Sequence, residues 1–178
     1  MKKIILGISA SIAAYKACDL IRLFVKGGDS VHVAVTENAL NLVAPLTLET
    51  LSGNPVYSDS FSRERREMGH IELKSDADLF LVAPATANII GKFACGIADD
   101  LLSTTYLSVE CPVMVAPAMN PAMYRHPAVK ENIDRLKSRG VVIIEPEKGL
   151  VACGDEGYGK LADIEIIYRE AVNVLKRK

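Results

Sequence analysis

Short apolar runs alternate with helical patterns along almost the whole chain, and this alternation limits the fold more than any other feature. The runs have the continuous apolar character of buried parallel strands and cover residues 4–8, 31–35, 79–82, 113–115 and 141–144. Apolar residues recur at helical spacing in the segments 12–26, 37–52, 88–107, 128–138 and 164–175. Strands separated by helices of this length require right-handed crossovers. The sequence therefore predicts an α/β protein whose parallel sheet is covered by helices on both faces.

Some parts of the chain interrupt this pattern. The helical segment 37–52 is expected to break at Pro45 and the segment 88–107 near Gly96, because proline and glycine are poor helix formers. Residues 54–69 and 147–160 show neither the apolar run of a buried strand nor helical spacing. The first segment contains a run of charges and the second is rich in glycine. We therefore expect these two segments to lack regular structure.

Length and charge narrow the class of protein. The 178 residues correspond to one domain, which is expected to cover 1–178. Lysine and arginine total 21 against 22 aspartates and glutamates, which argues against a strong electrostatic grip on nucleic acid or on an anionic membrane. No stretch approaches the roughly 18 apolar residues of a membrane span, and Gly7, Ser9 and Ser11 interrupt the apolar N-terminal run, which superficially resembles a signal peptide. We expect a cytoplasmic protein.

The four cysteines and three histidines form no metal-binding pattern. No two cysteines are spaced as C-x-x-C and the histidines are scattered, so no metal site is expected. Cys18, Cys95 and Cys111 fall on or beside predicted helices and strands, and we assign them to packing. Cys153 differs because it lies in the glycine-rich stretch V-A-C-G-D-E-G-Y-G-K, where a cysteine is a candidate for chemistry.

Small and polar residues follow the predicted strands. Open parallel sheets bind ligands beyond the carboxyl ends of their strands. There the sequence reads G-I-S-A-S at 7–11, T-E at 36–37, P-A-T-A-N at 84–88 and P-A-M-N at 117–120. The first loop has one glycine where the dinucleotide fingerprint has three, which argues against a standard NAD site. The hydroxyls of Ser9 and Ser11 suit one phosphate, although serine is also a common helix N-cap.

Two of these loops allow both a structural and a functional interpretation. Thr86 or Asn88 can cap a helix, or the small residues around them can let the backbone approach a ligand closely. Asn120 can hydrogen-bond a carboxylate or a carbonyl group, whereas Met119 and Met123 are of a type that more often fills a core. The recurrence of such loops at successive strand ends favours a binding site there.

Five motifs occur in a fixed order, namely G-I-S-A-S-I-A-A-Y-K, G-H-I-E-L, P-A-T-A-N, A-P-A-M-N-P-A-M-Y and A-C-G-D-E-G-Y-G. Together they resemble the homo-oligomeric flavin-containing cysteine decarboxylases, from about Lys3 to about Asp163. The resemblance implies a three-layer α/β/α Rossmann-like fold, FMN as the cofactor, and decarboxylation of a C-terminal cysteinyl group on a small-molecule substrate. It also implies a homo-oligomer, a trimer or a dodecamer of trimers, in which each active-site histidine comes from across a subunit boundary.

The resemblance assigns roles residue by residue. The expected FMN contacts are Gly7, Ser9, Ser11, Ile12, Thr36, Thr86, Ala87, Asn88 and Ala118. Asn120 matches the asparagine that binds the substrate carboxylate, and Met123 the methionine beside it. His70, otherwise a lone histidine of the kind that is more often structural, matches the active-site histidine. Cys153, followed by Gly154, matches the cysteine of the substrate clamp.

The implied chemistry explains why these groups are needed. Direct loss of carbon dioxide from a saturated carbon is very slow, because the departing electron pair has no sink. Oxidation of the cysteine moiety to a thioaldehyde, with hydride passing to the flavin, creates that sink β to the carboxylate. The enethiolate that remains must regain a hydride and a proton, so no external electron acceptor is required.

Two positions depart from the family pattern. Tyr124 stands where the family often has tryptophan, and Ala10 and Ser11 replace a frequent Gly-Gly pair. The first departure concerns the shape of the substrate pocket and the second the phosphate contacts. In bifunctional members a phosphopantothenate–cysteine ligase domain accompanies the flavin domain, and such a domain on a longer chain is a candidate partner.

Three other functions remain open. A flavin prenyltransferase shares this fold and cofactor, but the A-C-G-D motif is not expected of one. A peptidyl-cysteine decarboxylase would use the same residues on a peptide tail. A flavin-binding regulatory protein without turnover fits poorly with the joint presence of His70, Asn120 and Cys153.

Overall fold

A parallel sheet forms the centre of the protein in the computed structural model, which describes residues 1–58, 69–150 and 154–177. Within that part of the chain the sheet has five strands, β1 (Lys3–Ile8), β2 (Ser30–Val35), β3 (Leu79–Ala85), β4 (Val113–Pro117) and β5 (Val142–Ile143). Their order is β2-β1-β3-β4-β5, and every neighbouring pair is parallel. The predicted parallel sheet is therefore confirmed.

The described helices are α1 (Ala17–Lys26), α2 (Pro45–Ser52), α3 (Gly69–Lys74), α4 (Ala87–Cys95), α5 (Leu101–Ser108), α6 (Pro121–Arg125), α7 (Pro127–Ser138) and α8 (Ile164–Lys176). Two 3₁₀ segments, Ile12–Lys16 and Glu37–Asn41, follow β1 and β2. None of the helices in the described ranges combines the length and apolar character that a bilayer span requires.

Helices cover both faces of the sheet. Successive side chains of each strand point to opposite faces, so one strand contributes to two cores. Along β1, Ile4 and Leu6 belong to one core, which includes apolar residues of α1, α2 and α8. Ile5 belongs to the other core, with apolar residues of α3, α4, α5 and α7. Phe24 and Phe93 are fully buried examples, one in each core. The α/β class with helices on both faces is as predicted.

Several boundaries differ from the sequence-based prediction. The segment 12–26 opens as a 3₁₀ turn before α1 begins at Ala17. The segment 88–107 divides at Gly96, whose φ of +69° ends α4, as the glycine indicated. The short helices α3 and α6 were not predicted, because five or six residues are too few to display a helical period.

Residues 147–160 were expected to lack regular structure, and this expectation was wrong. They contain an antiparallel pair, β6 (Glu147–Leu150) and β7 (Glu156–Lys160), which forms a second sheet. The glycines that suggested a loop serve close packing instead. A Cβ on Gly159 would collide with the backbone carbonyl oxygen of Met119, and one on Gly157 would lie 2.8 Å from the Cβ of Pro121. The glycines thus let β7 dock against the end of β4 and the start of α6.

Candidate functional site

The strand order creates a crevice at the carboxyl end of the sheet. The strand β1 pairs with β2 on one side and with β3 on the other, so the connections from these strands diverge to opposite directions. In open parallel sheets this reversal point is where ligands bind. The loops after β1, β2, β3 and β4, which the sequence singled out, all reach this edge.

A cavity of about 1030 Å³ occupies the crevice and lies at the upper end of the size range of small-molecule sites. Ten of the residues that the resemblance assigned to the cofactor or the substrate line it: Ser9, Ser11, Ile12, Thr36, Thr86, Ala87, Asn88, Ala118, Asn120 and Met123. Further lining residues that the sequence did not single out include Lys16, Asn38, Lys92, Asp100, Leu150 and Lys160. Four loops and the hairpin therefore converge on one space.

Ser9 connects two of these loops. Its hydroxyl donates to the carbonyl oxygen of Pro84 at 2.8 Å and accepts the backbone N–H of Thr86 at 2.9 Å. The residue is 1% exposed, so both bonds are shielded from water. The hydroxyl that suited a phosphate in the sequence is thus engaged in holding the loops after β1 and β3 together.

Two other hydroxyls on the cavity wall cap helices. Ser11 accepts the N–H of Ala13 at 3.3 Å, and Thr86 accepts the N–H of Ile89 at 3.4 Å. Both structural roles follow the N-cap pattern that serine and threonine show at helix starts. The caps also place the first residues of α4 on the cavity wall, where backbone N–H groups favour an anion.

Thr36 differs from these residues because its buried hydroxyl oxygen has no hydrogen-bond partner in the described part of the chain. A buried hydroxyl without a partner costs free energy, about 1–3 kcal/mol. Thr36 lines the cavity, so a polar group of a bound ligand can remove that cost. This orphaned hydroxyl lines the same cavity as the start of α4 and fits a phosphorylated or otherwise polar cofactor.

Asn120 stands where β4 leads into α6. Its Oδ1 accepts the N–H of Ala122 at 2.7 Å, which caps α6, and its Nδ2 donates to Asp155 Oδ2 at 2.6 Å. The oxygen is thus turned into the helix and the NH₂ group toward a carboxylate. An amide held in this orientation presents a donor to an anionic oxygen.

The two methionines lie on the wall of the cavity. Met119 is partly buried, with its backbone N–H donating to Gly159 O at 2.9 Å, and Met123 is 48% exposed. The core role that is more usual for methionine therefore does not apply to Met123. Both side chains add apolar surface next to Asn120.

A polar network of residues that do not line the cavity connects α6 to α7. The hydroxyl of Tyr124 donates to Glu145 Oε2 at 2.6 Å, Lys137 donates to Glu145 Oε1 at 2.7 Å, and the Lys130 ammonium lies 4.0 Å from the centre of the Tyr124 ring. Burial, followed by the hydrogen bond to Glu145, raises the pKa of Tyr124. Burial alone would raise the pKa of Glu145, but the hydrogen bonds from Lys137 and Tyr124 outweigh burial and lower it. The residue at the position of the family's tryptophan thus joins α6 to α7.

Lys92 brings a cation to the cavity wall, together with its own counterions. Its Nζ lies 2.6 Å from Asp100 Oδ2 and 2.7 Å from Asp99 Oδ1. Burial alone would lower the pKa of Lys92, but the hydrogen bonds to both carboxylates raise it. Asp100 also caps α5, where it accepts the N–H of Ser103 at 2.7 Å. Sequence reasoning missed this cluster because its members belong to two separate helix ends.

Three of the assigned residues that the structure describes, Gly7, Gly154 and His70, do not line the cavity. Gly7 is buried within β1, where a Cβ would lie 2.7 Å from Leu102 Cδ1, so its small size serves packing. Gly154 is exposed, with φ of +88°. His70, on α3, is half-buried and its Nδ1 has no hydrogen-bond partner among the described residues. Cys153 lies outside the described residues.

The packing role assigned to three cysteines holds for two of them. Cys111 is buried in one core and Cys18 packs against the other. Cys95 is exposed at the last position of α4, so the assignment to packing was wrong there. The helical period alone did not reveal that this turn faces solvent.

The fold and the cavity define an open parallel α/β protein of the nucleotide-cofactor-binding class. The chain belongs to the Flavoprotein family, whose model matches residues 1–176, and its cofactor is a flavin. The resemblance drawn from the sequence motifs is confirmed by individual relatives. The coenzyme A biosynthesis bifunctional protein CoaBC of Bacillus subtilis is 48% identical over 171 residues, which are 96% of this chain and 42% of that protein. This chain thus spans less than half the length of that relative.

Solved structures agree with this assignment. A cysteine-to-serine mutant of PPC decarboxylase complexed with pantothenoylaminoethenethiol superposes with a TM-score of 0.88 at 31% identity, covering 99% of both chains. The FMN-binding protein AtHal3 superposes with a TM-score of 0.86 at 30% identity, covering 99% of this chain and 98% of the other.

Proposed function

We propose that this chain catalyses the FMN-dependent decarboxylation of 4′-phosphopantothenoyl-L-cysteine to 4′-phosphopantetheine, a step of coenzyme A biosynthesis. The observation that carries the proposal is the orientation of Asn120, which lines the cavity and directs its NH₂ group at a carboxylate oxygen, that of Asp155. The similarity to a bifunctional protein of coenzyme A biosynthesis and to PPC decarboxylase supports the substrate.

FMN is the proposed form of the flavin, held by the wall that the first four strands build. The orphaned hydroxyl of Thr36 and the N-terminus of α4 provide hydrogen-bond donors for its polar groups. Ser11, Ile12 and Ala118 lie on the same wall. When bound, FMN supplies a two-electron acceptor that takes a hydride from the cysteine moiety and returns it after carbon dioxide has left.

The chain's own residues hold and protonate the substrate. Asn120 binds the carboxylate that is lost, because its NH₂ group is fixed by the bond that Oδ1 accepts from Ala122. Met119 and Met123 place apolar surface beside that carboxylate. Apolar neighbours favour conversion of a charged carboxylate into neutral carbon dioxide. Cys153 is the proposed proton donor to the enethiolate, a role that rests on the family resemblance.

His70 is proposed to act in the active site of a neighbouring subunit. It does not line the cavity of its own chain in the described ranges, and its buried Nδ1 has no partner there. Both facts are consistent with a histidine whose partner is supplied by assembly into a trimer, or into a dodecamer of trimers. The relative's greater length supports the further proposal that a ligase domain accompanies residues 1–178, a single FMN-binding domain, in a longer cytoplasmic protein.

The test is direct. Purified protein loaded with FMN is incubated with 4′-phosphopantothenoyl-L-cysteine, and carbon dioxide and 4′-phosphopantetheine are measured. Asn120→Asp is the matched control, since it keeps the side-chain size but opposes the substrate carboxylate with a negative charge. Turnover by the wild type and not by the variant is expected. Turnover only of a peptide ending in cysteine would instead indicate a peptidyl-cysteine decarboxylase, and no turnover of either would overturn the proposal.

A further inference from the structure

One of the chain's own carboxylates contacts the amide group that the proposed function assigns to the substrate's carboxylate. Asp155 Oδ2 accepts a hydrogen bond from Asn120 Nδ2 at 2.6 Å. We propose that Asp155 is an internal competitor, so that substrate binds Asn120 by displacing the Asp155 carboxylate. The inference rests on the proposed function, because that function makes Asn120 the carboxylate-binding residue.

The local geometry makes the two carboxylates chemically equivalent ligands. Asn120 cannot rotate to offer its oxygen instead, since Oδ1 accepts the N–H of Ala122 at 2.7 Å and caps α6. The NH₂ group is therefore presented in one direction, and a carboxylate is its strongest class of acceptor. The same group that recognises Asp155 recognises the carboxylate of a cysteinyl substrate.

The position of Asp155 allows it to leave without disrupting the fold. It is exposed and lies directly before β7, so its carboxylate is hydrated once released. The rest of β7 stays attached to the loop between β4 and α6 through the bond from Met119 N–H to Gly159 O, at 2.9 Å, and to α6 through the close contact of Gly157 with Pro121. Displacement thus replaces the Asp155 carboxylate with that of the substrate on Asn120 Nδ2 and leaves these contacts of β7 in place.

The consequence is a selective reduction in substrate affinity. A site whose binding-competent state is only partly populated shows an affinity reduced by that populated fraction. Removing the competitor is expected to tighten binding of carboxylate-bearing ligands by about tenfold, the effect of one hydrogen bond to a charged group. A ligand without the carboxylate, such as the decarboxylated product, gains nothing.

Calorimetric titration of the FMN-loaded enzyme tests this difference. The first ligand is 4′-phosphopantothenoyl-L-serine, which keeps the carboxylate but has no thiol to oxidise, and the second is 4′-phosphopantetheine. We expect Asp155→Ala to lower the Kd of the serine compound about tenfold and to leave the Kd of 4′-phosphopantetheine unchanged. Asp155→Asn keeps an acceptor oxygen without the charge and is expected to give an intermediate gain.

Glu156→Ala is the matched control. Glu156 is the next residue, is 71% exposed on its side chain, and pairs with Lys148 at 3.9 Å instead of with Asn120. The substitution Glu156→Ala removes one negative charge from the same hairpin. An equal gain in affinity for the serine compound in this variant would show that long-range charge repulsion is responsible, and would overturn the proposal. An unchanged or weaker affinity in Asp155→Ala, or an equal gain for 4′-phosphopantetheine, would also overturn it. Wild-type turnover of the cysteine substrate, measured in parallel, separates such a result from failure of the proposed function.

Discussion

The hydroxyl of Ser9 donates to the carbonyl oxygen of Pro84 at 2.8 Å, and this bond joins the end of β1 to the end of β3. The same oxygen accepts the N–H of Thr86 at 2.9 Å. Because β1 and β3 flank the point where the strand order reverses, one buried side chain links the two loops that border the crevice there. The neighbouring hydroxyl of Thr36, by contrast, has no protein partner in the described chain.

Removing these two hydroxyls is expected to have different effects on FMN affinity and on the stability of the apoprotein. Thr36→Val should weaken FMN binding about tenfold and leave the stability of the apoprotein unchanged or higher, because the hydroxyl makes no hydrogen bond to the described residues. Ser9→Ala should destabilise the apoprotein by about 1–3 kcal/mol, because Pro84 O and Thr86 N–H lose a buried partner. Fluorescence titration with FMN and unfolding of the apoprotein measure the two effects. Wild-type FMN affinity in Thr36→Val would contradict the assignment.

The docking of the hairpin is tested by a glycine pair. Gly159→Ala places a Cβ against Met119 O at a φ of +151°, and should lower kcat/KM at least about tenfold by shifting Asn120. Among the described residues, a Cβ in Gly149→Ala, on β6 of the same hairpin, meets Lys160 Cδ at 3.4 Å, and the variant should keep near wild-type activity. Steady-state kinetics on both variants provide the comparison. Equal activity of the two variants would show that the hairpin does not position the site.

Glu145 should make stability depend on pH. Hydrogen bonds from Lys137 and Tyr124 outweigh burial and lower its pKa in the folded state, so its contribution is present above the unfolded pKa and is lost as pH falls through the folded value. Glu145→Gln is expected to destabilise the protein by less than about 1 kcal/mol at neutral pH, since the side chain is 59% exposed.

Urea unfolding at pH of about 7 and about 3 measures that difference. The difference in unfolding free energy between wild type and variant should shrink at the lower pH, because the contribution of Glu145 is lost as pH falls through its folded pKa. Glu131→Gln, an exposed glutamate on α7, should cause no comparable change at neutral pH. A difference in unfolding free energy of the same size at both pH values would show that packing, rather than charge, is responsible.

A composite active site predicts complementation between subunits. His70→Asn and Asn120→Asp are each expected to be inactive, because each removes a group assigned to the reaction. Refolding the two variants together should restore partial activity if His70 acts in the site of a neighbour. Activity assays on oligomers shown to be mixed provide the measurement. No recovery in such oligomers would place His70 and Asn120 in the same subunit's site.

Cys153→Ser should stop the reaction after decarboxylation. A positioned general acid contributes about 10² to 10⁴ in rate, and its loss affects only the protonation of the enethiolate. The variant should bleach the flavin absorbance once and accumulate about one enethiol per site, whereas Asn120→Asp should not bleach at all. Stopped-flow absorbance distinguishes these outcomes. Repeated turnover at near wild-type rate in Cys153→Ser would exclude the assigned role.

The sequence by itself predicted the elements that depend on local pattern. Burial on both faces makes a parallel strand continuously apolar, and a helix repeats its apolar positions with a fixed period, so both are visible within one window of residues. The small residues after each strand were also visible, because they directly follow an apolar run in the sequence. The strands and most helices were therefore predicted without the tertiary structure, and the family resemblance of the motifs added ten residues that line the cavity.

The tertiary structure decided which of these elements meet. The order β2-β1-β3-β4-β5, the docking of β7 on α6 and the pairing of Lys92 with Asp100 join parts that no local period connects. Asn120 and Asp155, 35 positions apart, contact each other only because Gly157 and Gly159 let the hairpin approach α6. Such contacts depend on steric fit and on the entropy of closing the intervening chain, which are properties of the whole fold. The sequence therefore determined which chemical groups were present, and packing between distant segments determined which of them share a site.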